Sequence, residues 1–116
     1  MKAIILIACL LLFSTANAGK LVGVIPLSIK VDKNVFFSLP KESLTKDLCS
    51  FHGSHFTFDA TTKSGQNMLY VLINAKTTNK KIDIWYTIKK SMAGKDETND
   101  CSHSTLAVLR SIGLND

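Results

Sequence analysis

Two cysteines and three histidines are spaced closely enough in the sequence to carry chemistry together. They form the patterns Cys49-x-x-His52-x-x-His55 and Cys101-x-His103. Thiolate and imidazole are the groups with which proteins hold Zn²⁺, although this spacing matches no known zinc finger. The alternative is a disulfide, which would leave no thiolate for a metal. A site built from the histidines alone is compatible with either state of the cysteines.

The first residues of the chain bear on this choice, because they have the features of an export signal. Lys2 gives a positive start, residues 3–13 form an unbroken apolar run, and residues 16–18 (Ala-Asn-Ala) are a small-x-small cleavage motif. We therefore predict a signal peptide over residues 1–18. Export favours an oxidised cysteine pair.

Lipid attachment at Cys9 is an alternative, since residues 6–9 (Leu-Ile-Ala-Cys) match a lipoprotein box. The apolar run continues past Cys9 to Phe13, however, which favours cleavage after Ala18. That run is shorter than the roughly 20 residues that span a bilayer, so no stable membrane insertion is expected after cleavage. Residues 19–116 are then a single small domain, secreted or periplasmic.

In an exported chain, Cys49 and Cys101 are expected to form a disulfide. They lie 52 positions apart, and a loop of that size gives about 4 kcal/mol in the chain-entropy model. We predict no metal and no other cofactor, with His52, His55 and His103 as the residues that would hold a metal if one were bound. Histidines gathered near the bridge would also make stability respond to pH between about 5 and 7.

Trp85 is the residue best suited to binding a ligand. Residues 81–89 alternate as a strand, and the members of one parity are apolar and expected to face the core: Ile82, Ile84, Tyr86 and Ile88. Trp85 then faces outward beside Asp83 and Thr87. An outward tryptophan among polar groups stacks on sugar rings or contacts protein partners. The alternative is that the amino-terminal strand or a loop covers the indole.

Phe36 is the fourth predicted binding residue. It has the opposite parity from Val35 and Phe37 in a short strand. Adjacent aromatic residues suit a strand covered on both faces, which would make Phe36 a core residue. If exposed, Phe36 would instead join Trp85 in one apolar patch, which is typical of an oligomer or partner surface.

Enzymatic chemistry has no support in the sequence. Asp59 and Asp83 are isolated acids, Ser64 has no base beside it, and the acids of residues 96–100 belong to a polar loop. A nucleophile with a base and an orienting acid cannot be assembled from these groups, so we predict that the protein is not an enzyme. The formal net charge is +5, but the lysines are scattered, so nucleic acid is not an expected partner.

Five strands and one helix are expected to position these residues. The predicted strands cover residues 20–31, 35–39, 55–59, 81–89 and 104–114. Thr61 or Thr62 suits the helix N-cap and Asn79 suits its end. Pro26 cannot donate to a ladder, so the first strand should be an edge strand or bulged. Arg110 occupies the apolar parity of the last strand, which predicts a bulge there.

The order βββαββ predicts a β-rich α+β fold. A small five-stranded, OB-like, partly open barrel with one central helix would protect its strand edges. A flat antiparallel sheet with the helix packed on one face is the alternative.

The segment around the helix also resembles a known group of proteins. It contains Gly65-Gln66-x-Met68-Leu69-Tyr70-x-Leu72-x-x-Ala75, Lys80-Lys81-Ile82-x-Ile84-Trp85 and Cys101. Over Cys49 to Ile112 it is similar to small secreted bacterial proteins that look like the B subunits of AB5-type toxins. The resemblance implies an OB-like fold, a disulfide to the last strand, and ring oligomers that bind glycans. No sugar site of the family matches residue by residue, so none is carried over.

We therefore predict a non-enzymatic secreted recognition protein that binds glycans in the manner of a toxin B subunit, as a homo-oligomer. The main alternative is a periplasmic or secreted module that binds or inhibits another protein. A third alternative, from a different class, is a metal-handling protein that uses the histidines.

Overall fold

The computed structural model describes residues 17–115. These residues form one α-helix, α1 (Lys63–Thr78), and two short 3₁₀ turns at 41–43 and 103–105. The strands are β1 (Asn17–Val24), β2 (Ile29–Val31), β3 (Asn34–Phe37), β4 (Phe56–Asp59), β5 (Lys81–Ile88) and β6 (Ala107–Asn115). Residues 1–16, which hold most of the predicted signal peptide and Cys9, lie outside the described residues.

The described chain has six strands, so the predicted count of five is wrong. The predicted strand over residues 20–31 is divided into β1 and β2, and Pro26 lies in the interruption at residues 25–28. Proline has no N–H to donate, so a continuous ladder cannot run through this position. The two pieces lie at opposite ends of the strand order, which is β1-β5-β6-β4-β3-β2.

Neighbouring strands are antiparallel, except for the parallel pair β4 and β6. That pair is short and joins Phe56 to Ala107 and Thr57 to Val108. Helix α1 connects β4 to β5 and packs mainly against β6. The predicted class, a β-rich α+β fold with one helix, is confirmed.

Helix α1 begins and ends at the predicted residues. The Thr62 hydroxyl accepts a hydrogen bond from the N–H of Gly65 at 2.9 Å, which satisfies one of the free donors of the first turn. Asn79 ends the helix in the left-handed conformation, with φ of 55°. Leu72 and Ala75 are buried on the face that packs on the sheet.

The main core lies between α1 and the sheet. Its largest fully buried side chains come from four strands, the helix and the segment after β3: Val35, Phe37, Leu39, Phe56, Leu72, Ile82, Ile84 and Leu109. Phe56 stacks on Phe37 at 5.0 Å and meets Tyr86 edge-on at 5.2 Å between ring centres. Burial of each such side chain contributes about 1.5–3 kcal/mol, so these contacts decide which face of each strand points inward.

A second apolar cluster surrounds the Cys49–Cys101 disulfide. The bridge joins two Cα atoms 6.0 Å apart and packs with Met92 and Leu106. Phe36 packs against this cluster, whereas its neighbours in β3 belong to the main core. The sheet is therefore covered on both faces at β3, which explains two adjacent phenylalanines in one short strand.

The predicted bulge at Arg110 is confirmed. Trp85 pairs with Ser111 and Tyr86 pairs with Leu109, so Arg110 is the extra residue of β6. Among the residues that the structure describes, no helix has both the length and the apolar character needed to span a bilayer.

Candidate functional site

Trp85 lies on the face of β5 that points away from the main core. Its cross-strand neighbours are Lys20 of β1 and Ser111 of β6. The residue is 37% exposed. The ammonium group of Lys20 lies 4.9 Å from the centre of the indole ring, a cation–π contact. The indole is therefore accessible, and a positive charge lies against it.

Asp83 and Thr87, on either side of Trp85, both form hydrogen bonds within the protein. One carboxylate oxygen of Asp83 accepts from the Asn115 side chain at 2.8 Å and from the Gly23 N–H at 3.0 Å. These two bonds, led by the one from Asn115, lower the pKa of Asp83 below its usual value. The Thr87 hydroxyl accepts from the Nε of Arg110 at 2.9 Å. Within residues 17–115, the second oxygen of Asp83 and the terminal guanidinium nitrogens of Arg110 form no hydrogen bond.

These side chains form one surface, which we call the Trp85 patch. Its members are Lys20, Asp83, Trp85, Thr87, Arg110 and Ser111. Three of them come from β5 and were predicted from alternation. The other three come from β1 and β6, and nothing in the sequence near Trp85 indicated them, because their position depends on strand register and on the bulge.

Phe36 does not belong to this patch. Strands β4 and β6 lie between β3 and β5, a separation of three strand spacings or about 14 Å. Phe36 is half-buried, and its ring lies 5.1 Å from the ring of His103 at a tilt of 59°. Phe36 packs against the disulfide cluster, as a strand covered on both faces requires. The alternative, in which an exposed Phe36 shares one apolar patch with Trp85, does not occur because the strand order separates the two residues.

A cavity of about 320 Å³ lies beside β3, the strand that contains Phe36. Apolar atoms make up most of its surface, although six of its eight lining residues have hydrogen-bonding side chains: Asn34, Thr57, Asp59, Lys89, His103 and Ser104. The Asn34 amide lies 3.2 Å from Nε2 of His103. Thr57 is 7% exposed, and its hydroxyl has no hydrogen-bond partner among the residues that the structure describes. The sequence did not single out Thr57, because it stands between Phe56 and Phe58 like any polar residue of an alternating strand.

Replacing Thr57 by valine is expected to raise the free energy of unfolding by about 1 kcal/mol. Valine keeps the shape of threonine but removes a buried hydroxyl that has no partner. Urea denaturation of the two proteins would measure the difference. Thr87→Val is the matched control, since it removes a hydroxyl that accepts from Arg110 and should be destabilising. Destabilisation by Thr57→Val would show that this hydroxyl is bonded in solution.

The three histidines have separate partners. The backbone N–H of His52 donates to Glu97 at 2.8 Å, and its ring lies 3.5 Å from the same carboxylate. His55 accepts at Nδ1 from the N–H of Leu39 at 3.4 Å, while His103 contacts Asn34. Between residues 17 and 115, no three His, Cys, Asp or Glu side chains are grouped so as to hold a metal ion.

Acidification below pH 6.5 is expected to destabilise the protein through His55. Burial lowers the pKa of His55 from its usual 6.5, because the charged ring is poorly solvated there. The unfolded chain therefore binds this proton more readily, so stability is complete above pH 6.5 and is lost as pH falls through the folded pKa. Melting temperatures measured from pH 7.5 to pH 5 should decrease for the wild type and for His52→Gln, but much less for His55→Asn. Equal decreases in all three would exclude His55 as the cause.

Comparison with protein-family models, with curated proteins and with solved structures found no match to this chain.

Proposed function

We propose that the protein is a non-enzymatic, exported recognition protein that binds glycans through the Trp85 patch. The observation that carries this proposal is the accessible indole of Trp85 on the outer face of the sheet. An aromatic ring offers an apolar platform to a sugar, and nearby polar groups bind its hydroxyls. Arg110, Ser111 and the free oxygen of Asp83 are placed to provide those hydrogen bonds.

The architecture proposed for this role is an OB-like, partly open barrel. In its support, the two strands at opposite ends of the strand order, β1 and β2, are consecutive in the chain and are separated by residues 25–28 alone. If β1 and β2 are counted as one strand bent at Pro26, the order of the elements along the chain is βββαββ. OB folds bind oligosaccharides on the face of their second and third strands and in adjoining loops, which in this count are β3 and β4. The architecture thus supports a sugar ligand, whereas its position on β5 rests on Trp85 alone.

Export is part of the proposal and has two supports. The leader over residues 1–18 has the pattern of a signal peptide. The Cys49–Cys101 disulfide is of a kind that persists in oxidising compartments and is rare in the cytosol. Both support a secreted or periplasmic location.

A homo-oligomer like the rings of AB5-type B subunits is proposed on the exposed side of α1. Tyr70 and Ile73 are 69% and 43% exposed there, and neighbouring exposed apolar residues mark protein contacts. The same surface also favours the alternative function, a secreted module that binds or inhibits another protein. Size-exclusion chromatography with light scattering separates the two, since a strict monomer would contradict the ring.

A glycan array tests the main proposal. The folded domain should bind a defined set of glycans, and Trp85→Ala should weaken that binding at least tenfold. Val31→Ala, at an exposed apolar residue of β2 outside the Trp85 patch and the oligomer surface, should not. Because the chain has a single tryptophan, titration with a bound glycan should also change its fluorescence. The proposal is wrong if no glycan binds, or if Trp85→Ala binds as well as the wild type.

A further inference from the structure

A cleft of about 610 Å³ lies between the segment that follows β3 and the loop at residues 94–96. It shares no residue with the Trp85 patch. Its apolar walls come from four leucines, Leu27, Leu39, Leu44 and Leu48, so we call it the leucine cleft. Ligand pockets for small molecules have volumes of about 300–1,000 Å³ and mostly apolar walls. The leucine cleft has both properties.

The walls of the leucine cleft are held in place by bonds across the loop. Cys49 lines the cleft and is tied to Cys101 by the disulfide. The N–H of Ser50 donates to the carbonyl of Lys95 at 3.1 Å, and the N–H of Met92 donates to the carbonyl of Asp47 at 3.2 Å. The cleft is therefore formed before any ligand enters, which lowers the entropic cost of binding.

Two hydrogen-bond donors in the leucine cleft have no acceptor among the described residues. His55 accepts at Nδ1 from the N–H of Leu39, so the neutral ring carries its proton on Nε2, and that N–H has no partner. Ser38 also lines the cleft, and its hydroxyl forms no hydrogen bond within residues 17–115. Among those residues Thr57 Oγ1 is the buried side-chain polar atom that lacks a partner, so the Ser38 hydroxyl and His55 Nε2 are both accessible to solvent. Both donors are therefore open to a ligand oxygen that enters the cleft.

The rim of the leucine cleft carries charges of both signs. Asp96 accepts hydrogen bonds from the backbone N–H and the hydroxyl of Thr98. Lys95 lies 3.8 Å from the carboxylate of Asp100. Lys41 is exposed and, within residues 17–115, forms no ion pair. Lys41 is thus the cation available to an anionic ligand.

We propose that the leucine cleft binds a small carboxylic acid with an apolar body. The apolar body packs among the four leucines, and the carboxylate accepts hydrogen bonds from His55 Nε2 and from the Ser38 hydroxyl. Lys41 adds electrostatic attraction at the rim. This ligand is distinct from a glycan, and its binding does not depend on the Trp85 patch.

Isothermal titration with octanoate at pH 7.5 tests this proposal, with octanol and octylamine as probes of equal chain length. Octanoate should bind saturably and about tenfold more tightly than either of the others, because hydrogen bonds to a charged acceptor are the stronger kind. Absence of saturable octanoate binding would overturn the proposal. Equal binding of octanol would also overturn it, because the donors would then not recognise a carboxylate.

Variants locate the site. His55→Asn keeps an acceptor for the Leu39 N–H but removes the Nε2 donor, and Ser38→Ala removes the hydroxyl; each should weaken octanoate binding about tenfold. Lys41→Gln changes only the exposed rim, should fold normally, and should weaken binding severalfold.

Two variants outside the cleft are the controls. His103→Asn is a matched change to that at His55, and both it and Trp85→Ala should bind octanoate as the wild type does. Unchanged affinity in folded Ser38→Ala and Lys41→Gln would overturn the proposal, even if His55→Asn failed to fold.

Discussion

Removal of the Cys49–Cys101 bridge is expected to lower the free energy of unfolding by about 4 kcal/mol. The disulfide closes a loop of 52 residues, and its loss releases that constraint from the unfolded chain. Small domains are stable by roughly 5–15 kcal/mol, so the change is a large part of the whole. Urea denaturation of the Cys49→Ala/Cys101→Ala double variant would measure it.

The wild-type protein under reducing conditions provides the control for this prediction. It keeps both cysteine side chains but loses the covalent link, so its urea midpoint should be close to that of the double variant. Met92, Leu106 and Phe36 pack around the bridge, and their packing is expected to loosen in both proteins. A loss below about 1 kcal/mol would mean that the unfolded chain is already compact near the two cysteines.

Gly65→Ala is expected to destabilise the protein by about 3 kcal/mol. A Cβ atom at this position would overlap the backbone carbonyl oxygen of Asp59 and lie 3.0 Å from the Thr62 hydroxyl that caps the helix. A backbone atom cannot turn aside as a flexible side chain can, so the start of α1 must shift. Alanine favours helix over glycine by about 1 kcal/mol, which offsets only part of this cost.

Gly113→Ala is the matched control for Gly65→Ala. Gly113 lies in β6, and a Cβ atom there would have no neighbour within 4 Å. Its substitution should change the free energy of unfolding by less than about 0.5 kcal/mol. Denaturant midpoints for the two variants give the comparison. A Gly113→Ala variant less stable than Gly65→Ala would contradict the steric explanation.

The helix and the strand that follows it could be predicted because their signals are local. Thr62 accepts from a residue three positions away, and Asn79 ends the helix through its own backbone conformation. The alternation of residues 81–88 likewise predicted which side chains of β5 are buried. Such signals act within one or two turns or along one strand, so a window of sequence contains all of their information.

The division of the first strand could be anticipated only in part. Pro26 indicated an edge or a bulge, and the structure shows that it separates two strands that pair with β5 and β3 respectively. The reason is that strand partners are chosen by the packing of the whole sheet. A residue that interrupts a ladder indicates where pairing stops, but not where the chain pairs next.

By itself, the sequence determined the cysteine pair, the limits of α1 and the outward direction of Trp85. Tertiary structure alone decided that Lys20 would meet Trp85 and that Arg110 would meet Thr87. It also decided that Phe36 would lie three strand spacings from Trp85, and that Ser38 and His55 would share a cleft. The physical reason is the range of the interactions. Caps and alternation act between near neighbours, whereas binding surfaces join side chains far apart in the chain, whose meeting depends on register, on a bulge and on strand order.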